Sequence, residues 1–133
     1  MRRIRFSVQA TLESAQRWSE LAYRVERLGF HALMAADHPG VTASPFAALA
    51  AAAAVTSTLQ LGTYVCNVGI RDPLAIASDA ATVDVLSGGR VTFGVGAGHP
   101  RRMDHDGTPL PRSGGAGRTA QRDRPSRDAT PFG

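Results

Sequence analysis

The spacing of hydrophobic positions changes in a regular order along the chain. From Ile4 to Ala10, Ile4, Phe6 and Val8 alternate with Arg5, Ser7 and Gln9, the two-residue period of a strand with one buried face. From Ala15 to Leu28 the period lengthens. Ala15, Trp18, Leu21, Ala22, Val25 and Leu28 share one helical face, and Arg17, Glu20, Arg24 and Arg27 lie off it. Thr11 stands where an N-cap is wanted, and Gly29 where a left-handed residue closes a helix. Phe30 to Ala36 is a short, nearly continuous apolar run, which predicts a strand covered on both faces. Asp37-His38-Pro39-Gly40 ends that strand. Ser44-Pro45 supplies a cap and a proline at the first helical position, opening an alanine-rich helix from Phe46 to Thr56. Leu59 to Val68 reads as a third strand. Asp72-Pro73 repeats the cap-and-proline device before a helix from Leu74 to Leu86, which Ser87-Gly88-Gly89 stops. Val91 to Val95 is a fourth strand, ended by Gly96-Ala97-Gly98.

Strands that begin roughly thirty residues apart with a helix between each pair are the spacing of βαβ units. The expected class is therefore α/β with a parallel sheet and right-handed crossovers. An open Rossmann-like sheet and a segment of a barrel share this pattern, and periodicity does not choose between them. A complete (β/α)₈ barrel needs roughly 200 residues or more, and this chain has 133. The expected domain covers residues 1–98. Beyond Gly98, Pro100, Pro109, Pro111, Pro125 and Pro131 interrupt singly scattered apolar residues. Such a segment buries too little surface to offset its ordering entropy, so 99–133 is expected to be disordered.

Composition refines this picture at three points. Only 6% of residues are aromatic, so the core must come mostly from Ala, Val, Leu and Ile. All 15 basic residues are Arg; eight face seven acidic residues up to Gly98, and seven face four beyond it, which places most of the net +4 in the tail. A basic tail attracts polyanions, but no aromatics interleave with these arginines, so nucleic acid is not the expected partner. Cys66 is the single cysteine, which excludes an internal disulfide and suits a reducing cytoplasm. Met1-Arg2-Arg3 leads into no apolar stretch, and the run Ala47 to Val55 is too short to cross a bilayer, so no membrane association is expected. No His, Asp and Glu residues stand at metal-ligand spacing.

The most specific stretch is Leu86-Ser87-Gly88-Gly89-Arg90-Val91-Thr92-Phe93-Gly94-Val95-Gly96-Ala97-Gly98-His99. With Ala36-Asp37-His38, and with Gly62-Thr63-Tyr64-Val65 continuing to Arg71-Asp72-Pro73, it resembles the luciferase-like oxidoreductases, especially the branch that uses the deazaflavin coenzyme F420. The resemblance covers Ile4 to His99. It implies the first four β-α units of a (β/α)₈ TIM barrel. It also implies hydride transfer between F420, or alternatively FMN, and a small organic substrate.

In a TIM barrel the active site lies at the C-terminal ends of the strands. The resemblance places Asp37 and His38 beside the deazaflavin ring, with His38 as the catalytic candidate, since an imidazole exchanges protons near neutral pH. Asp-His-Pro-Gly is also a good turn by itself. Cys66 and Asn67 end the third strand, where the resemblance sets backbone amides and Asn67 against the ring's polar edge. A small buried cysteine is the competing reading of Cys66. Gly96, Ala97 and Gly98 end the fourth strand. The alternating Gly94, Gly96 and Gly98 do not have the spacing of the dinucleotide fingerprint; these glycines read either as room for a flat cofactor or as a plain glycine-rich terminus. Ser7 and Gln9 face either the barrel mouth or solvent on an ordinary strand.

The tail has a reading of its own. Back-translated with permitted codons and read one base out of frame, His99 to Pro111 yields an acidic-aromatic loop and a Gly-x-Pro turn, similar to what the family carries after its fourth strand. The invariant codon of Met103 then forces tryptophan or a stop. The tail is accordingly expected to be a frameshifted product and the chain inactive alone; an in-frame stop or unrelated DNA after codon 133 in that frame counts against this. Two other classes of function stand beside it. One is a small α/β binding domain that closes its edges as a homodimer. The other is an arginine-tail nucleic-acid binder.

Overall fold

The computed structural model describes residues 4–97. Gly98, His99 and the expected tail lie outside them. The elements follow in the order β1 (Ser7–Ala10), α1 (Ala15–Arg27), β2 (Ala32–Ala35), α2 (Pro45–Val55), β3 (Gln60–Asn67), α3 (Pro73–Ser87) and β4 (Val91–Gly96). The strands form one sheet in the order β1-β2-β3-β4, every pair parallel. This topology decides what periodicity left open. A doubly wound sheet reverses direction at a switch point, whereas these strands add one after another in a single direction, as barrel strands do.

The helices cover one face of the sheet. Leu33, Ala35 and Leu61 are buried against Trp18, Ala22 and Val25 of α1 and Leu49 and Ala52 of α2, with Val8 and Ala10 packed on the same cluster. Burying a leucine fully contributes roughly 2 kcal/mol or more over leaving it in water, so Leu33, Leu49, Leu59 and Leu61 dominate a core poor in aromatics. α2 packs between α1 and α3, which explains why its sequence is apolar on every side. Trp18 is buried, and its indole N–H donates to the Ala48 carbonyl at 2.7 Å, fastening α1 to α2.

The helix ends follow local chemistry, with two corrections. Ser14, not Thr11, caps α1: its hydroxyl accepts from the Arg17 N–H at 3.3 Å. Ser44 precedes Pro45 as expected but makes no side-chain cap bond. Asp72 caps α3 through Oδ1, accepting from Leu74 at 2.9 Å and Ala75 at 3.1 Å. Gly29 and Gly88 adopt the left-handed conformation after α1 and α3, with φ of 77° and 68°, where a side chain would be strained. The first strand is shorter than its alternation suggested. Ile4 and Phe6 precede β1 and are exposed, because no described element covers them.

The Leu-Ser-Gly-Gly-Arg turn explains itself in three dimensions. Gly88 and Gly89 close α3, donating to the Val85 carbonyl at 3.1 Å and the Asp84 carbonyl at 2.9 Å. The Ser87 hydroxyl accepts from the Arg90 N–H at 3.2 Å. The Arg90 guanidinium then reaches the end of α2, donating to the Ala53 and Thr56 carbonyls, the Thr56 hydroxyl and the Leu59 carbonyl. A cation on the open carbonyls of a helix C-terminus is favourable on both hydrogen-bond and dipole grounds. The motif therefore locks α3 and β4 to the α2–β3 corner.

Candidate active site

The C-terminal ends of the parallel strands form a rim. β2 delivers Ala36, Asp37 and His38 to it, β3 delivers Cys66 and Asn67, and β4 delivers Gly96 and Ala97. The structure sorts these candidates into two tiers.

Asp37 and Cys66 form the lower tier. Asp37 is 2% exposed. Arg71, from the loop after β3, grips it with two parallel bonds, Nε to Oδ2 and Nη2 to Oδ1, each 2.8 Å. Oδ2 also accepts from the Asn67 backbone N–H at 3.0 Å and from the Cys66 thiol at 3.7 Å. Burial pushes the Asp37 carboxyl upward, but the Arg71 hydrogen bonds, the Asn67 N–H and the Arg71 charge outweigh it and hold the group below the usual carboxylate range. The same burial, with the Asp37 charge beside it, pushes the Cys66 thiol up. Cys66 is therefore a protonated donor inside the wall, which favours the small-buried-residue reading over a nucleophile. Arg71 lies over the Phe46 ring, 5.8 Å from its centroid, and Phe46 in turn meets Phe93 of β4 at 6.2 Å.

His38, Asn67 and Ala97 form the upper tier. His38 is exposed, and its imidazole has no hydrogen-bond partner among the described residues. Its backbone is held firmly. The His38 N–H donates to the Thr42 hydroxyl at 2.9 Å, and the His38 carbonyl accepts from the Val41 and Thr42 amides. Thr42 also donates to the Ala36 carbonyl at 3.2 Å. The Asp-His-Pro-Gly segment is thus both a turn and the carrier of a free imidazole. Asn67 is 8% exposed; its Oδ1 accepts from the Gly69 N–H at 3.1 Å, and its amide NH₂ has no described partner. Val68 donates to the Gly96 carbonyl at 3.1 Å, so the ends of β3 and β4 stay paired.

β3 is irregular just below this rim. The Tyr64–Val65 peptide is cis, and the pairing with β4 shifts register between Thr63 and Cys66. Thr63 fills the interrupted ladder with its side chain, donating to the Gly94 carbonyl at 2.7 Å and accepting from the Gly94 N–H at 3.1 Å. The alternating glycines of β4 answer to this bulge. A Cβ on Gly94 would lie 2.6 Å from the Thr63 carbonyl oxygen, and one on Gly96 would lie 2.5 Å from Val65 Cγ2. On Gly94 the obstacle is backbone, and on Gly96 it is a side chain.

On the sheet face away from the helices, Ser7, Gln9, Met34 and Tyr64 line an open cleft of about 360 Å³. Gln9 reaches across β2 to donate to the Tyr64 carbonyl at 3.3 Å. Ser7 and Gln9 thus face what would be the interior of a closed barrel. Arg71 and Thr63 carry the family resemblance in the sequence but were given no role there, and Thr42 was not singled out. Their partners lie on other elements, and the nearest available signal was Arg71 standing beside the Asp72-Pro73 cap.

The described helices carry no segment long and apolar enough to cross a membrane. The chain matches the family of luciferase-like monooxygenases over residues 3–120. It belongs to that family. The match runs past Gly98 into the segment expected to be disordered. Among curated relatives, 4-hydroxyprotoasukamycin monooxygenase of Streptomyces nodosus subsp. asukaensis is 39% identical over 83 residues, covering 59% of this chain and 22% of that enzyme. Among solved structures, the coenzyme F420 dependent tetrahydromethanopterin reductase of Methanopyrus kandleri superposes with a TM-score of 0.74 at 31% identity, covering 80% of this chain and 31% of that one. The FMN-bound oxygenating constituent of 3,6-diketocamphane monooxygenase from Pseudomonas putida reaches a TM-score of 0.69 at 18% identity, covering 79% and 33%. The shared architecture is therefore that of the opening β-α units of the luciferase-like barrel, and the chain spans about a fifth to a third of its relatives' lengths.

Proposed function

We propose that this luciferase-like chain carries the ring-facing part of a flavin-type site that uses coenzyme F420 and acts on a small organic substrate. One observation carries the reading: the exposed His38 imidazole and the Asn67 amide, whose NH₂ has no described partner, stand on neighbouring strand ends of one rim, beside the buried Asp37–Arg71 ion pair. The fit to a flat, polar-edged ring is good in the upper tier. There the His38 imidazole and the Asn67 NH₂ are free among the described residues, and Gly96 and Ala97 present backbone. Asp37 and Cys66 fit differently from the first expectation. Their polar atoms are taken up by one another, Asn67 and Arg71, so they shape the wall rather than touch the ring.

When bound, F420 supplies the hydride chemistry, and the protein supplies position and electrostatics. His38 would hold a hydrogen bond or a proton at the substrate atom beside the ring. Asn67 would donate to the ring's polar edge. FMN is the second reading. The 31% identity to the F420-dependent reductase favours the deazaflavin, since the FMN-bound neighbour at 18% speaks to fold alone.

Barrel phosphate sites commonly form after strands seven and eight, and the described residues contribute four strands. The ring-facing residues thus act together with a second half barrel, and negligible turnover is expected from the 133-residue chain alone. The free, buried Cys66 suits a reducing cytoplasmic setting. Fluorescence titration of the chain with oxidised F420 and with FMN tests the reading. Saturable binding that weakens in His38→Ala and Asn67→Ala supports it. No binding of either cofactor, or binding indifferent to both substitutions, removes it.

A further inference from the structure

We infer that Arg71 is a positioning residue: by pinning Asp37 it sets the relation between the β2 and β3 strand ends and so orients His38 and Asn67 toward whatever sits on the rim. The inference deepens the reading given under Proposed function and rests on it for the identity of the ligand.

Among the described residues, Asp37 supplies the side-chain hydrogen bonds that join the two strand ends. One carboxylate oxygen accepts at once from Arg71 Nε, the Asn67 N–H and the Cys66 thiol, and the other from Arg71 Nη2. Asp37 is one residue before His38, and Cys66 is one residue before Asn67. The bidentate fork fixes the plane of the carboxylate, which a lysine's point charge would not. Arg71 is itself held by stacking on Phe46, so the joint is braced against α2. Arg71 is only 24% exposed and its partner 2%, so water competes weakly for the pair. Arg71 commits Nε and Nη2 to Asp37, which is itself buried. Their role is exercised through the residues that follow them.

A buried ion pair also contributes to structure, so the test must separate stability from position. Arg71→Met alone leaves Asp37 charged and unpaired, and should destabilise the fold. The double variant Asp37→Asn with Arg71→Met removes both charges. It keeps an amide oxygen for the Asn67 N–H and should recover much of the lost stability. Amide hydrogen exchange on the full 133-residue chain, without ligand, then reads the rim at His38 and Gly69. Their hydrogen bonds go to Thr42 Oγ1 and Asn67 Oδ1, which neither substitution alters. We expect those two amides to exchange at least about tenfold faster in the double variant, with Leu33 and Leu61 unchanged. Binding of oxidised F420 should weaken by a comparable factor.

If rim exchange in the stable double variant equals that of the wild type, the pair is structural only and the inference is overturned. If the wild-type chain binds neither F420 nor FMN, the reading of the site falls, yet the exchange result still decides whether Arg71 orders the rim. If rim exchange rises but F420 binding is unchanged, the rim is ordered by Arg71 without serving that ligand, and the inference fails at its functional step.

Discussion

Arg90 and Thr56 join the fourth strand to the end of the second helix: Nη1 meets the Thr56 hydroxyl at 2.9 Å and Nη2 meets the Thr56 carbonyl at 3.0 Å. The same guanidinium also serves Ala53, Leu59 and Ser87. Removing it strands several helix-terminal carbonyls in a partly buried corner. Arg90→Ala should therefore cost about 3 kcal/mol, and Arg90→Lys roughly half of that, because an ammonium cannot span the fork. Urea unfolding of the three proteins checks this; equal midpoints would mean the clamp is dispensable.

Glu26 performs a similar task at the same corner between α2 and β3. Its Oε1 accepts from the backbone N–H groups of Ser57, Thr58 and Leu59 at 2.6–2.9 Å and from the Thr58 hydroxyl at 3.0 Å. Burial pushes its carboxyl upward, but these bonds prevail and lower it to about 2 from 4.5. A folded-state pKa below the unfolded one means stability that is fully present above about pH 4.5. It is lost as the pH falls toward about 2. Glu26→Gln should cost about 1–2 kcal/mol at pH 7, allowing for solvent screening of a partly exposed group. The difference from wild type should shrink across that acid window. A gap independent of pH between 5 and 2 would contradict this account.

Trp18 is the chain's one tryptophan. It combines a fully buried ring with the hydrogen bond to Ala48 that joins α1 to α2. Trp18→Phe keeps most of the ring and loses the donor, for an expected cost of about 1–2 kcal/mol. Trp18→Ala also opens a cavity and should cost about 3–5 kcal/mol. Thermal unfolding followed by far-ultraviolet circular dichroism orders the three proteins, and a Trp18→Phe variant as unstable as Trp18→Ala would assign the site to the hydrogen bond alone.

Local signals in the sequence were read well where the cause is local. Gly29 and Gly88 sit at left-handed positions because a helix must stop there, and Asp72-Pro73 caps α3 because both preferences act within one turn. Element order and parallel pairing followed from the spacing of apolar runs. The first helix start was misread at Thr11 because Ser14 offers the same chemistry closer to the periodic face. The exposed Ile4 and Phe6 show that an alternating pattern names a face without naming its cover. At the site, Asp37 and His38 were legible as a pair but not as opposites. That one is buried in an ion pair and the other free depends on Arg71, 34 residues away in the chain. The roles of Glu26 and Thr63 were invisible for the same reason, since each satisfies backbone groups about thirty residues distant.

The glycines of β4 offer a comparison in which two neighbours should respond differently to the same change. A methyl on Gly94 would sit 2.6 Å from the Thr63 carbonyl oxygen, and that carbonyl belongs to a strand held on both sides. Backbone cannot step aside cheaply, so Gly94→Ala should cost about 2–3 kcal/mol or change the local pairing. A methyl on Gly96 would meet only the Val65 side chain, 2.5 Å from Cγ2. Val65 is 39% exposed and has room to rotate. Gly96→Ala should therefore cost about 1 kcal/mol or less, within the tolerance of a site that relaxes by one rotamer. Paired denaturation curves measure the difference directly. Equal losses would imply that Val65 is as immobile as the backbone, and that the rim above it is more rigid than its exposure suggests.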